Sequence, residues 1–177
     1  MPPFDKIRAE HFMPAFERGM SLHDAEIDAI TSNKDEATFE NTILAYDNAG
    51  QMLAQTELVF GMLCAAETND RMQALQEQAM PLLAAHRDKI RLDDKLFVRV
   101  KEVYDRRAAL GLDAEQMRLL QKTYDSFVRA GALLDAEQKA RLKEINGQLS
   151  LTAVKFGNNI LAENNNFVLE LKSDELD

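Results

Sequence analysis

Apolar positions recur at three- and four-residue steps along most of the chain, the spacing that gathers side chains on one helix face. Phe12, Phe16, Gly19, His23, Ile27 and Ile30 form the first such stripe and predict a helix over residues 11–32. Pro14 falls early in it, where a missing N–H costs little. After a polar break at residues 33–36, Thr38 is a good N-cap. Ile43, Tyr46, Gly50, Leu53, Phe60 and Cys64 then continue one stripe to about Glu67. Read as one helix, this is roughly 29 residues and about 43 Å at 1.5 Å per residue. A compact chain of this size has a radius of gyration of about 16 Å, so the expectation is an elongated bundle. Asn69 or Asp70 caps a third helix with Met72, Leu75, Ala79, Leu83, His86 and Ile90 as its stripe. Pro81 should kink or split it. Asp93 or Asp94 opens a fourth, with Phe97, Val100, Tyr104 and Ala108 inward and Gly111 at its end.

The last two helices begin alike. Leu112-Asp113-Ala114-Glu115-Gln116 is echoed by Leu134-Asp135-Ala136-Glu137-Gln138. Each pairs an Asp N-cap with a Gln three residues on, the pattern of a capping box. The echo extends little further, and no period of 30 to 45 residues persists, so a repeat solenoid is not the reading. The fifth helix presents Met117, Leu120, Tyr124, Phe127 and Gly131. The sixth presents Leu142, Ile145, Leu149, Thr152, Phe156 and Ile160, the longest clean stripe in the chain. Beyond Asn164-Asn165-Asn166, the run Phe167-Val168-Leu169-Glu170-Leu171 is the only strand candidate. The predicted class is all-α: about six long, mostly antiparallel helices in an elongated bundle, with one short β-strand near the C-terminus. Residues 1–166 form the helical domain and residues 167–177 a strand and tail.

Composition narrows the function classes. The 177 residues are 46% hydrophobic, enough to fill a core. Seven glycines and four prolines are too few for a turn-rich β protein. The net charge of −9 argues against nucleic-acid binding, which rests on neutralising phosphates. One cysteine, Cys64, can build neither an internal disulfide nor a cysteine zinc site. No run of 18 apolar residues occurs, so no membrane span is expected. The first residues show no basic segment followed by an apolar one, hence no secretory signal, and the expected location is cytoplasmic, or periplasmic where a leader has been removed.

A search for chemistry in the residues finds little. Zincins place two histidines at i and i+4 on a helix with a Glu between them as base. His11, His23 and His86 are not so spaced and none is followed by Glu, so they read as ordinary surface or half-buried helix residues. Cys64, in an apolar stretch without a neighbouring base, reads as a packing residue. The carboxylate pairs Glu36 with Glu40 and Glu170 with Asp174 read as solvated faces. Di-iron bundles need Glu-x-x-His, which is absent. Lys139, Arg141 and Lys143 make a small basic patch offset by Glu137 and Glu144. Asn158, Asn159, Asn164, Asn165 and Asn166 read as a frayed helix end and a turn. The glycines are scattered singly, without a phosphate-cradling loop. No catalytic, cofactor-binding or metal-ligating residue is assigned.

Three strings nevertheless resemble a known family. The first is Phe4-Asp5-Lys6-Ile7 with Glu10-His11-Phe12-Met13-Pro14-Ala15-Phe16-Glu17. The second, and most telling, is Thr38-Phe39-Glu40-Asn41-Thr42-Ile43. The third is Lys143-Glu144-Ile145-Asn146-Gly147-Gln148-Leu149-Ser150 running on to Phe156-Gly157-Asn158-Asn159-Ile160-Leu161. In order and spacing they resemble the N-terminal region of the zinc oligopeptidases related to thimet oligopeptidase, neurolysin, oligopeptidase A and peptidyl-dipeptidase. The resemblance implies a neurolysin-like helical region forming one wall of a deep channel that admits short peptides. It implies a zinc site with H-E-x-x-H and a further Glu in a C-terminal catalytic domain, none of which has a counterpart here. The chain is therefore expected to be an excised N-terminal portion, inactive alone, whose partners are short peptides and the catalytic domain. Peptidyl-dipeptidase is preferred over an endo-acting oligopeptidase. The unpaired strand and the missing chemistry fit that expectation, which also calls for exposed apolar side chains facing the absent half. The alternative is a stand-alone helical protein- or peptide-interaction module. A ligand- or metal-storing bundle fits least, because its stripes would need inward polar ligands.

Overall fold

Residues 2–170 are described by a computed structural model, and among them six helices of twelve residues or more carry the fold. In chain order α1 spans Phe12–Ser32, α2 Ala45–Asn48, α3 Gln51–Ala66, α4 Asp70–Arg91, α5 Asp94–Asp105, α6 Ala114–Arg129 and α7 Ala136–Asn166. A π-helical turn, Phe39–Leu44, leads into α2. No strand occurs among the described residues, so the class is all-α.

The starts follow from local chemistry. Asn69 caps α4 by accepting the Met72 amide, and Asp93 caps α5 by accepting the Leu96 amide. The echoed phrase makes two full capping boxes, Asp113 with Gln116 and Asp135 with Gln138. Each satisfies two otherwise unpaired backbone donors.

Packing divides the apolar interior into two cores. In one, the first half of α1 lies antiparallel on α3, with Phe12 and Phe16 against Phe60 at ring distances of 4.9 and 5.3 Å. Met72, Ala79 and Leu83 of α4 close this core. Gly19 permits the approach: a Cβ there would lie 3.0 Å from the Leu53 Cα. In the other, Ile27 and Ile30 of α1 meet Ile43, Ile90, Val100 and Phe127. The α5–α6 hairpin packs antiparallel here, with Tyr104 stacked on Tyr124 at 3.8 Å. Helix α7 lies antiparallel on α4, tied by Asn146 to Asp88 and by Asn158 to Glu77. Helix α4 runs parallel to α1, since Glu10 pairs with Arg71 and His23 meets His86.

Four expectations are corrected. The single helix over 38–67 is broken at Ala49–Gly50, where Gly50 adopts φ 73°. Its stripe is buried on both sides of the break, Ile43 in one core and Leu53 and Phe60 in the other. The fourth helix stops at Asp105 rather than Gly111, and a 3-10 turn at Arg107–Ala109 leaves Ala108 exposed. Of the two outcomes expected at Pro81, the split does not occur: α4 passes through it as one element. Lastly, the predicted strand does not form: α7 continues through Asn166, and residues 167–170 carry neither helix nor strand. Phe167, Val168 and Leu169 stand exposed, with no strand among the described residues to pair with. Leu171 and the rest of the expected tail lie outside the described residues.

Candidate functional site

The most telling string of the sequence, Thr38 to Ile43, turns out to be a structural hub. Thr38 accepts the Asn41 amide at 3.1 Å. The Asn41 side-chain Oδ1 accepts the Thr38 amide at 2.8 Å, the Thr42 hydroxyl at 2.8 Å and an Arg99 guanidinium N–H at 3.1 Å. The Asn41 side-chain Nδ2 donates to the Glu36 backbone carbonyl at 2.9 Å. Arg99, only 8% exposed, also donates to the carbonyls of Asn33 and Asp35. Arg106, seven residues on along the chain, holds the Glu36 carboxylate and the Ala37 carbonyl. Two arginines thus clamp the segment between α1 and the π-helical turn. Sequence reasoning missed Arg99; a charged residue amid the apolar positions of α5 was the available signal.

Two of the three histidines come together. His86 Nε2 lies 3.2 Å from His23 Nδ1, joining α4 to α1, and Asp24 stands 3.8 Å from His86 Nδ1. Burial disfavours the charged imidazole and lowers the pKa of both, and the neighbouring His86 lowers that of His23 further. His23 also packs against the Gly50 break, where a Cβ would meet its ring at 2.8 Å. The Gly50 amide donates to Glu26 at 2.7 Å. His11 lies apart, its Nδ1 accepting the Arg8 amide at 3.1 Å.

The remaining candidates stay separate. Cys64 is half-buried and its thiol pKa is pushed up by burial, the opposite of an activated nucleophile. Glu36 is engaged by Arg106, and Asp174, the expected partner of Glu170, lies outside the described residues. The basic patch divides: Lys139 is buried against Asp94, whereas Arg141 pairs with Glu144 at 2.8 Å. Of the asparagines, Asn158 binds Glu77 across to α4, and Asn164 to Asn166 complete the last helical turn. No group of three or more His, Cys, Asp or Glu side chains able to hold a metal occurs among the described residues.

What the surface offers instead is apolar. A groove of about 560 Å³ opens between the N-terminal segment, α1 and α3, lined by Ile7, Phe12, Ala15, Met52, Leu58 and Val59. His11, Gln55 and Thr56 are its polar edge. On the far side of α7, Ile145, Leu149, Phe156 and Ile160 of the longest predicted stripe are exposed. No helix among the described residues is long and apolar enough to cross a membrane.

Relatives supply what the geometry lacks. The chain is 42% identical over 163 residues to a dipeptidyl carboxypeptidase of Escherichia coli. It is 40% identical over 161 residues to a dipeptidyl carboxypeptidase of Salmonella typhimurium. To oligopeptidase A of Salmonella typhimurium it is 22% identical over 161 residues. These matches take in 92, 91 and 91% of this chain but 24% of each relative, so the chain spans about a quarter of the curated relatives it matches. No protein-family model matches it.

Proposed function

The chain is homologous to the dipeptidyl carboxypeptidases and oligopeptidases, and from that premise we propose that it is the N-terminal portion of a zinc-dependent peptidase acting on short peptides. The observation that carries this reading is identity of 42% and 40% to two dipeptidyl carboxypeptidases across nine-tenths of the chain. The lower value of 22% to oligopeptidase A favours a peptidyl-dipeptidase, which releases dipeptides from the C-terminus, over an endo-acting enzyme. In this reading the helices form one wall of the substrate channel, in a cytoplasmic enzyme.

The residues present do not fit the zinc. Among the described residues His23 and His86 converge, but they are hydrogen-bonded to each other, and the nearby Asp24 carboxylate is paired with Lys89 at 2.8 Å, so the three do not form a metal-holding group. On the proposed reading the metal ligands and the general base belong to the other three-quarters of the parent, and the 177-residue chain is expected to be inactive alone.

The test begins with the native gene. The frame is expected to continue beyond codon 177 and to encode H-E-x-x-H. The full-length product is then expected to release C-terminal dipeptides from N-blocked peptides and to lose activity to a chelator, while the 177-residue chain does neither. Cleavage at internal bonds would instead make it an endo-oligopeptidase. A stop codon directly after Asp177 would overturn the peptidase reading. It would favour the stand-alone interaction module, for which the apolar groove beside α1 and α3 is the supporting observation.

A further inference from the structure

The longest apolar row of the chain lies on its outside. Ile145, Leu149, Phe156 and Ile160 are 44, 62, 66 and 46% exposed. Helix α7 is held from its other side, where Asn146 binds Asp88, Asn158 binds Glu77 and Val154 is buried. At 3.6 residues per turn the two faces are centred roughly 140° apart. The free face of a surface helix is ordinarily polar or charged. This one is Ile, Leu and Phe along about 22 Å of helix. Its steps of three and four residues match the seam that receives another helix.

The row is unsuited to a wet channel wall. A peptide lying along such a wall needs hydrogen-bond partners for its backbone. The one polar side chain within the row is Thr152, and its hydroxyl already donates to the Gln148 carbonyl at 2.8 Å. A dry contact suits the chemistry better. The relatives are about four times the length of this chain, which covers 24% of them, so a parent of that size holds polypeptide to cover the row. We infer that the outer row of α7, centred on Leu149 and Phe156, docks an amphipathic helix from the remaining part of the parent. The inference rests on the peptidase reading for the existence of that part.

The experiment compares Leu149→Asp/Phe156→Asp, and the milder Phe156→Ala, in the full-length parent and in the 177-residue chain. The isolated chain is expected to keep its urea midpoint, because both side chains are already in water. The parent is expected to loosen, with limited proteolysis next to α7 accelerating roughly tenfold or more for the double variant and less for Phe156→Ala. Equal indifference in both proteins would overturn the inference. So would a changed kcat/KM with unchanged proteolysis, which would place the row in the channel. A dimer of the isolated chain in sedimentation equilibrium that the double variant dissolves, with the parent unaffected, would also overturn it in favour of a second copy. Reading the frame separates the two failures: a stop after codon 177 sinks the parent reading itself, whereas a continuing frame with an indifferent parent sinks only the docking.

Discussion

Asn41 concentrates more hydrogen bonding than any chemistry the sequence advertised. Removing its side chain strands the Thr38 amide, the Thr42 hydroxyl and one arm of Arg99, whose Nε is already buried without a partner. Asn41→Ala is expected to cost about 2–3 kcal/mol in urea unfolding, whereas Thr38→Ala, which removes one cap, costs about 1 kcal/mol. Similar small losses for both would show that the hub is dispensable. The histidine pair gives a pH prediction. Both imidazoles have folded pKa values below the ordinary 6.5, so as pH falls the unfolded chain takes up protons first. Their contribution is complete above pH 6.5 and is lost as pH drops through the lowered folded values. Urea midpoints at pH 7.5 and 5.5 are expected to differ more for the native chain than for His23→Gln/His86→Gln. At this scale the sequence was legible only where partners are near in the chain. Asp113 and Gln116 find each other three residues apart, but Arg99 and Asn41 are 58 apart, and the apolar neighbours of Arg99 mark it as unusual without naming its partner.

Among the elements, the break at Ala49–Gly50 shows what periodicity can and cannot reveal. Apolar positions continue at helical spacing through it, although Ile43 packs in one core and Leu53 and Phe60 in the other. The sole local sign was one glycine, and Gly50 was read as a member of the stripe. Its φ of 73° and the His23 ring where a Cβ would go both demand glycine. Gly50→Ala is expected to destabilise by about 2 kcal/mol or more, combining left-handed strain with the clash, as measured by thermal or urea unfolding. A neutral outcome would mean that the junction relaxes freely. Helix starts were readable because caps are local. The end of α5 was not, because Gly111 carries a positive φ in a turn beyond the helix rather than at its terminus. The stripe of α7 was correctly seen as a continuous face, yet periodicity does not say whether this chain covers it.

For the whole molecule, helices and their order could be read from the pattern, and the family from strings in register. The candidate site could not, since the residues that met, His23 with His86 and Asn41 with Arg99, come from distant elements. The sequence held no motif for either pair.

The two apolar cores have a dynamic corollary. Helices α1 and α4 pass through both, and between Gly19 and Ile27 on one and between Leu83 and Ile90 on the other sits the His23–His86 contact. The interior is thus two dry compartments separated by a polar bulkhead. Two such clusters on shared helices predict two cooperative units, each able to open with the other kept. Amide exchange is expected to resolve two protection classes, one for α3 and the first half of α1, another for α5, α6 and the π-helical turn. A single uniform class would mean that the shared helices fuse them. If the classes separate, the loss of one compartment need not unfold its neighbour.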